Sequence, residues 1–349
     1  MQGITKRGLQ ARRWLSAVAA LHVAAAAAST EVLATTRNLP ANAAASRDLP
    51  VPHPVWSRSP PLAHARTELV EFETAPFPYN GKVPGEGKSF LDIDDTGRRG
   101  HRSPQGHVYW EDLTFNDPRV LLHIPKGFDA RRPSLMIIFF HGHRATIDRD
   151  VRDRQQVPAQ ISASGLNAVL VAPQFAVNAP DSSAGRFWEP GAFGRFLGEA
   201  AQQLGRMHGD PRTVRTFAGM PVVIVAYSGG YLPTAWSLVR GGLEKRLRGV
   251  VLFDALYGEL DTFASWIESD RSAFFVSSYT NSTRGRNMEL QRILAAREVA
   301  FSTSLQGKLS QGSVMFLATA DAKHNDFITH AWVDSPIEDL LKRINGYHR

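Results

Sequence analysis

Six short apolar runs constrain what this 349-residue chain can fold into more than any other feature of it. They are "LMIIFF" (135–140), "NAVLVA" (167–172), "PVVIVA" (221–226), "GVVLFDA" (249–255), "AFFVSS" (273–278) and "SVMFLATA" (313–320), and each breaks off into a loop. A strand with water on one side alternates apolar and polar residues, whereas a strand covered on both sides has no polar face. These runs do not alternate, so they read as strands of a mostly parallel sheet with helices on both faces. Between them lie segments with helical spacing: "FGRFLGEAAQQLGRM" (193–207), "YLPTAWSLVRGG" (231–242), "MELQRILAARE" (288–298) and "PIEDLLKRI" (336–344). Strands alternating with helices predict an α/β architecture. One domain over about residues 67–349, without internal repeats, accounts for the pattern. At its start, "HVYWEDLTFNDPRVLLHIPKGF" (107–128) predicts an N-terminal antiparallel hairpin turning at Asn116-Asp117-Pro118.

The first residues read differently. Lys6, Arg7, Arg12 and Arg13 precede "WLSAVAALHVAAAAA" (14–28), the pattern of an export signal cleaved near Ala28. The apolar stretch is shorter than the roughly 20 residues that span a bilayer, so no membrane span is expected in the mature chain. Arg12-Arg13 fits a twin-arginine signal in part, which leaves both export routes open. The expected location is therefore the periplasm or the medium. Residues 29–66, rich in Ala, Ser, Asn and Pro, read as a linker or extended arm. The formal charge of +7 falls to 7 − 4 = +3 without the leader's four cations. The remaining arginines are interspersed with acids, as in "RDVRDRQQ" (149–156), so no nucleic-acid surface is expected. With no cysteine, the chain uses neither disulfides nor thiols.

The third run continues into "AYSGGYLP" (226–233), a strand end, a serine, two glycines and a helix. A nucleophilic serine held on a strand-to-helix turn needs small residues two positions before and after it, because the turn brings neighbouring backbone close. Gly230 meets that need, and Ala226 meets it with one methyl group. A serine hydroxyl is inert until a base takes its proton, and the base needs a partner to hold it. Asp254 ends the next run and His324 lies in the loop after the last, at the expected sheet edge and in the chain order acid, then base. Asp321 stays open as an alternative acid; Asp261, Glu259 and His330 fit the spacing less well. The turn-rich stretch 173–192 follows another strand end, so Phe187, Trp188 and Glu189 either line a substrate pocket together with Tyr227 or belong to a solvent-facing loop pinned by a buried tryptophan.

Through "AYSGGY", "FFHGH", "LFDALYG" and "KHNDF", over roughly residues 107–349, the chain resembles the α/β-hydrolase superfamily, and more narrowly a group of exported bacterial α/β-hydrolases of unassigned substrate. The resemblance implies the α/β-hydrolase fold and a serine hydrolase without cofactor, with Ser228, Asp254 and His324 as catalytic residues. The implied oxyanion hole is formed by the backbone N–H groups of Gly229 and His143. The superfamily more often carries its acid one strand later, but that loop here, "SSYTNSTRG" (277–285), has no carboxylate. The expected partner is a small-molecule or polymeric ester or amide. Cell-wall amides and a purely ligand-binding role are the alternatives. A metal pair at His141 and His143 is not expected, since Ala145 stands where a metallohydrolase would place an aspartate. "DIDDTG" (92–97) reads as a solvated turn, because it lacks the spacing of a calcium loop.

Overall fold

A computed structural model of the chain describes residues 59–103, 105–319 and 321–349. The leader expected at 1–28, and residues 29–58 of the expected linker, lie outside the described residues. All six apolar runs form strands of one eight-stranded sheet. They are, in the numbering used below, β6 (Leu135–Phe140), β7 (Ala168–Pro173), β8 (Val222–Tyr227), β9 (Leu247–Phe253), β10 (Phe274–Tyr279) and β11 (Val314–Ala318). Two earlier strands, β1 (Arg66–Glu71) and β5 (Arg119–Ile124), complete it. The spatial order is β1-β5-β7-β6-β8-β9-β10-β11. Pairing is antiparallel from β1 through β5 to β7 and parallel from β7 onwards. Counting only these eight strands along the chain, the order is 1-2-4-3-5-6-7-8 with the second antiparallel, which is the α/β-hydrolase fold.

The unbroken apolar runs follow from burial on both faces. In β6, Met136, Ile138 and Phe140 enter one core, while Leu135, Ile137 and Phe139 enter the other. β8 divides in the same way, Val222, Ile224 and Ala226 against Val223, Val225 and Tyr227. Helix Ala192–His208 covers the first face with Phe193, Phe196 and Leu197, and helix Pro336–Lys342 covers the second with Ile337, Leu340 and Leu341. Each such side chain stabilises the fold by about 1.5–3 kcal/mol when fully buried, so a polar residue in either register would cost more than the sheet pairing there returns.

The N-terminal antiparallel hairpin is present, but the strands flanking Asn116–Pro118 do not pair with each other. β2 (Ile93–Asp95), β3 (Arg98–Arg102) and β4 (Val108–Trp110) form a separate three-stranded sheet, and β4 pairs with β3. β5 pairs instead with β1 and β7. The reason is a one-turn helix, Glu111–Thr114, between β4 and β5, which carries the chain from one sheet to the other. "DIDDTG" is the β2–β3 turn: Asp94 Oδ1 accepts the Gly97 N–H at 2.9 Å, and Thr96 and Gly97 take positive φ of 53° and 88°. Among the described residues, no helix is long and apolar enough to cross a membrane.

Candidate active site

The chain order of the strands reverses at β6, which has β7 on one side and β8 on the other. A sheet opens a crevice at the carboxyl ends of the strands where its order reverses. The loops after β6 and β8 therefore face each other across it, and they bring Gly142 and Ser228 together. A Cβ on Gly142 would lie 2.8 Å from that of Ser228, closer than two carbons pack. Ser228 turns the chain from β8 into helix Tyr231–Arg240 with φ of +52°, a backbone cost of roughly 1–2 kcal/mol for a residue with a side chain. Two residues on, a Cβ at Gly230 would sit 2.5 Å from the Phe140 carbonyl oxygen. Glycine is thus required there. At position 226 the strand pairs in register with Phe140, and the alanine methyl lies fully buried in the core. This side of the turn tolerates one carbon.

Ser228, His324 and Asp254 form one hydrogen-bonded chain. Ser228 Oγ lies 2.9 Å from His324 Nε2, and His324 Nδ1 lies 2.6 Å from Asp254 Oδ2. Asp254, at the end of β9 with φ of +42°, is wholly buried. Burial alone would favour its neutral form. Hydrogen bonds from His324, Thr283 and Thr280 outweigh that and hold its carboxyl well below the ordinary carboxylate range. The Thr280 N–H donates to Oδ1 at 3.0 Å, the Thr283 hydroxyl to Oδ1 at 2.5 Å, and the Thr280 and Ser282 hydroxyls to Oδ2 at 2.8 Å each. An ionised carboxylate accepts only, so His324 donates through Nδ1–H and leaves Nε2 free to accept the serine proton.

His324 sits in a short turn, His324–Asp326, held from two sides. The Tyr227 hydroxyl donates to the His324 carbonyl at 2.7 Å, and its ring stacks on the imidazole at 5.1 Å between centroids. Arg154 donates to the Asn325 carbonyl at 3.1 Å. The alternative acids and base stay apart from this chain. Asp321 is exposed, Asp261 pairs with Arg297 at 3.5 Å, Glu259 accepts from the Thr262 hydroxyl at 3.2 Å, and His330 faces Asp334 at 3.6 Å.

The two histidines after β6 have separate tasks. His141 is buried, which lowers its pKa to about 4, and it donates through Nδ1–H to the Gly142 carbonyl at 2.7 Å. Its Nε2 accepts the Phe175 N–H at 2.8 Å, so the loop after β6 is tied to the loop after β7. That nitrogen is already occupied, which removes His141 from any metal pair. Among the described residues, no group of three or more potential metal ligands is present. His143 is exposed at the cavity, with Nε2 2.7 Å from Ser182 Oγ and its ring over Gly229. Partial burial lowers its pKa; Asp181 opposes the effect, and His324 and Arg144 add to it.

A cavity of about 560 Å³ opens onto Ser228, and Tyr227, Gly229 and His143 line it. Phe187 and Trp188 do not. Phe187 is wholly buried against Phe140, Phe193 and Phe196, and Trp188 packs edge-on against Tyr79 and Phe90, deep in the first core. Their large apolar surfaces gain more by joining the helix over the sheet than by facing an open cleft. Sequence reasoning missed Tyr231, Tyr257, Arg144 and Arg154, which also line the cavity. It also missed Thr280, Ser282 and Thr283. Their signal was present: the loop searched for a carboxylate supplies instead the hydroxyls that hold one.

No protein-family model matches the chain. No curated protein matches it either. Solved structures do. It is similar to a feruloyl esterase module from Clostridium thermocellum complexed with sinapinate, at 12% identity over 78% of this chain and 96% of that one, with a TM-score of 0.44. An S-formylglutathione hydrolase from Agrobacterium tumefaciens is 12% identical over 72% of this chain and 97% of its own, with a TM-score of 0.42. A dienelactone hydrolase from Anabaena variabilis is 14% identical over 66% and 92%, with a TM-score of 0.38.

Proposed function

We propose that the protein is a serine hydrolase that cleaves a carboxylic ester through an acyl-enzyme on Ser228. The observation that carries this reading is the continuous chain from Ser228 Oγ through both nitrogens of His324 to the buried carboxylate of Asp254. Ser228 Oγ attacks the ester carbonyl carbon while its proton passes to His324 Nε2. The carbonyl oxygen becomes an oxyanion held by the backbone N–H groups of Gly229 and His143; losing one such donor typically costs about 3 kcal/mol in the barrier. Collapse expels the alkoxide, which leaves with the proton from His324. A water molecule, deprotonated by the same nitrogen, then attacks the acyl carbon and releases the carboxylic acid and free Ser228. Asp254 stays ionised throughout, fixing the imidazole and stabilising its charged form.

A fluorophosphonate probe is expected to label the protein, and Ser228→Ala to abolish labelling; full labelling of the Ala variant would overturn the assignment. Hydrolysis of short p-nitrophenyl esters set against cell-wall peptide fragments separates the ester reading from the amide one. Ligand binding by an intact protein that never reacts with the probe would favour a receptor. We place the mature protein in the periplasm or the medium, on the basic and apolar pattern of residues 1–28. N-terminal sequencing of the fractionated protein tests this, with cleavage near Ala28 expected.

A further inference from the structure

Two guanidinium groups and no carboxylate line the Ser228 cavity among the described residues. Arg154 is partly committed: Nε donates to Asp150 at 2.9 Å and Nη1 to the Asn325 carbonyl at 3.1 Å. Asp150 also accepts from Arg149, at 2.6 Å, so this single carboxylate serves two cations. Arg144 is uncommitted. Among the described residues its side chain makes neither a hydrogen bond nor an ion pair, while its backbone is pinned at both ends. Its N–H donates to the Ala179 carbonyl at 2.9 Å, and its own carbonyl accepts from Arg149 at 2.8 Å. It holds φ of +59°, a conformation that glycine or asparagine would adopt at lower cost. Asp181, whose charge acts on His143, accepts the Ser183 N–H at 2.7 Å and, among the described residues, forms no ion pair with Arg144.

We propose that this cavity selects esters bearing a carboxylate on the part lodged beside Arg144, which makes Arg144 a specificity-determining residue. The inference rests on the hydrolase reading above and adds the class of substrate. A guanidinium without a side-chain partner among the described residues, at the wall of this cavity, takes a carboxylate by two parallel hydrogen bonds, and Tyr231 and Tyr257 line the same cavity. A neutral ester of the same length leaves that charge facing water.

The test compares kcat/KM for mono-p-nitrophenyl glutarate and for p-nitrophenyl valerate, whose acyl chains have the same number of carbons. The ratio, anionic over neutral, is expected to fall about tenfold in Arg144→Ala and in Arg144→Gly, the second being matched to the positive φ. Arg144→Lys keeps part of it. Arg132→Ala, which removes the same charge at the other end of the sheet, is expected to leave the ratio as it was. An equal ratio in wild type and both Arg144 variants would overturn the proposal. Calorimetric binding of the glutarate ester to Ser228→Ala, with and without Arg144→Gly, reads the anion site without turnover. If neither ester is cleaved yet Arg144 still governs this binding, the hydrolase reading fails and the anion site stands. Equal binding in both proteins overturns the anion site whatever the catalysis does.

Discussion

Two loops leave carboxyl ends of parallel strands a short distance apart and both reach the cavity, but they place their larger side chains differently. The turn after β8 presents Ser228 to a cavity, whereas the stretch after β7, richer in turn residues and in aromatics, folds Phe187 and Trp188 into the core. Both occupy the edge where such sheets bind ligands. Position at that edge is thus not enough. The first loop places a small polar residue where glycines at 142, 229 and 230 leave room for the Ser228 and His143 side chains and the Phe140 carbonyl. The second carries side chains whose burial is worth more than their exposure, so they become the floor beneath the site instead of its wall.

The contrast can be broken from either side. The largest effect is expected for Asp254→Asn, which removes the acceptor that sets the His324 tautomer: kcat should fall by about 10⁴ on esters, with Asp321→Asn within a few-fold of wild type. The reverse outcome in steady-state kinetics would move the acid to Asp321. Next, Phe187→Ala should lower unfolding free energy by about 3–5 kcal/mol in denaturant titrations, while the rate of fluorophosphonate labelling of the folded fraction stays within threefold. A large loss of labelling without loss of stability would return Phe187 to the pocket.

A smaller effect concerns two buried histidines, His141 beneath the site and His123 in β5. Burial lowers each from the ordinary 6.5 to about 4, in His123 with help from the Arg349 charge. The folded protein therefore resists protonating them while the unfolded chain does not. Stability is expected to fall as pH drops from about 6.5 to about 4 and to gain nothing from these groups above 6.5. Each contributes at most about 3 kcal/mol over that window. Denaturation midpoints at pH 7 and pH 5 for wild type and His141→Gln read it. A variant as acid-sensitive as the parent would remove His141 from the account.

Much of this was readable in the chain because two-sided burial leaves a one-dimensional trace. An unbroken apolar run marks a strand covered on both faces wherever its partners lie, and a serine before two glycines at such a strand's end marks a tight turn. What lay beyond reading were choices between competing contacts. "NDP" at 116–118 looks like a hairpin turn, yet β4 and β5 join different sheets because the Glu111–Thr114 helix separates them. The loop at 277–285 holds no acid, and only its position beside β9 turns its hydroxyls into the donors that keep Asp254 ionised.

By itself the sequence determined the six strands β6 to β11, their alternation with helices, and a serine, an acid and a histidine at strand ends in a given order. Local pattern suffices there, since periodicity and turn chemistry act within a few residues. Only the tertiary structure decided which acid meets His324, which aromatics face the cavity and which of the two cavity arginines has no side-chain partner among the described residues. These are differences between contacts made by residues as much as 171 positions apart, such as Arg154 on the Asn325 carbonyl. Such contacts depend on how the strands are ordered in space, which no local stretch records.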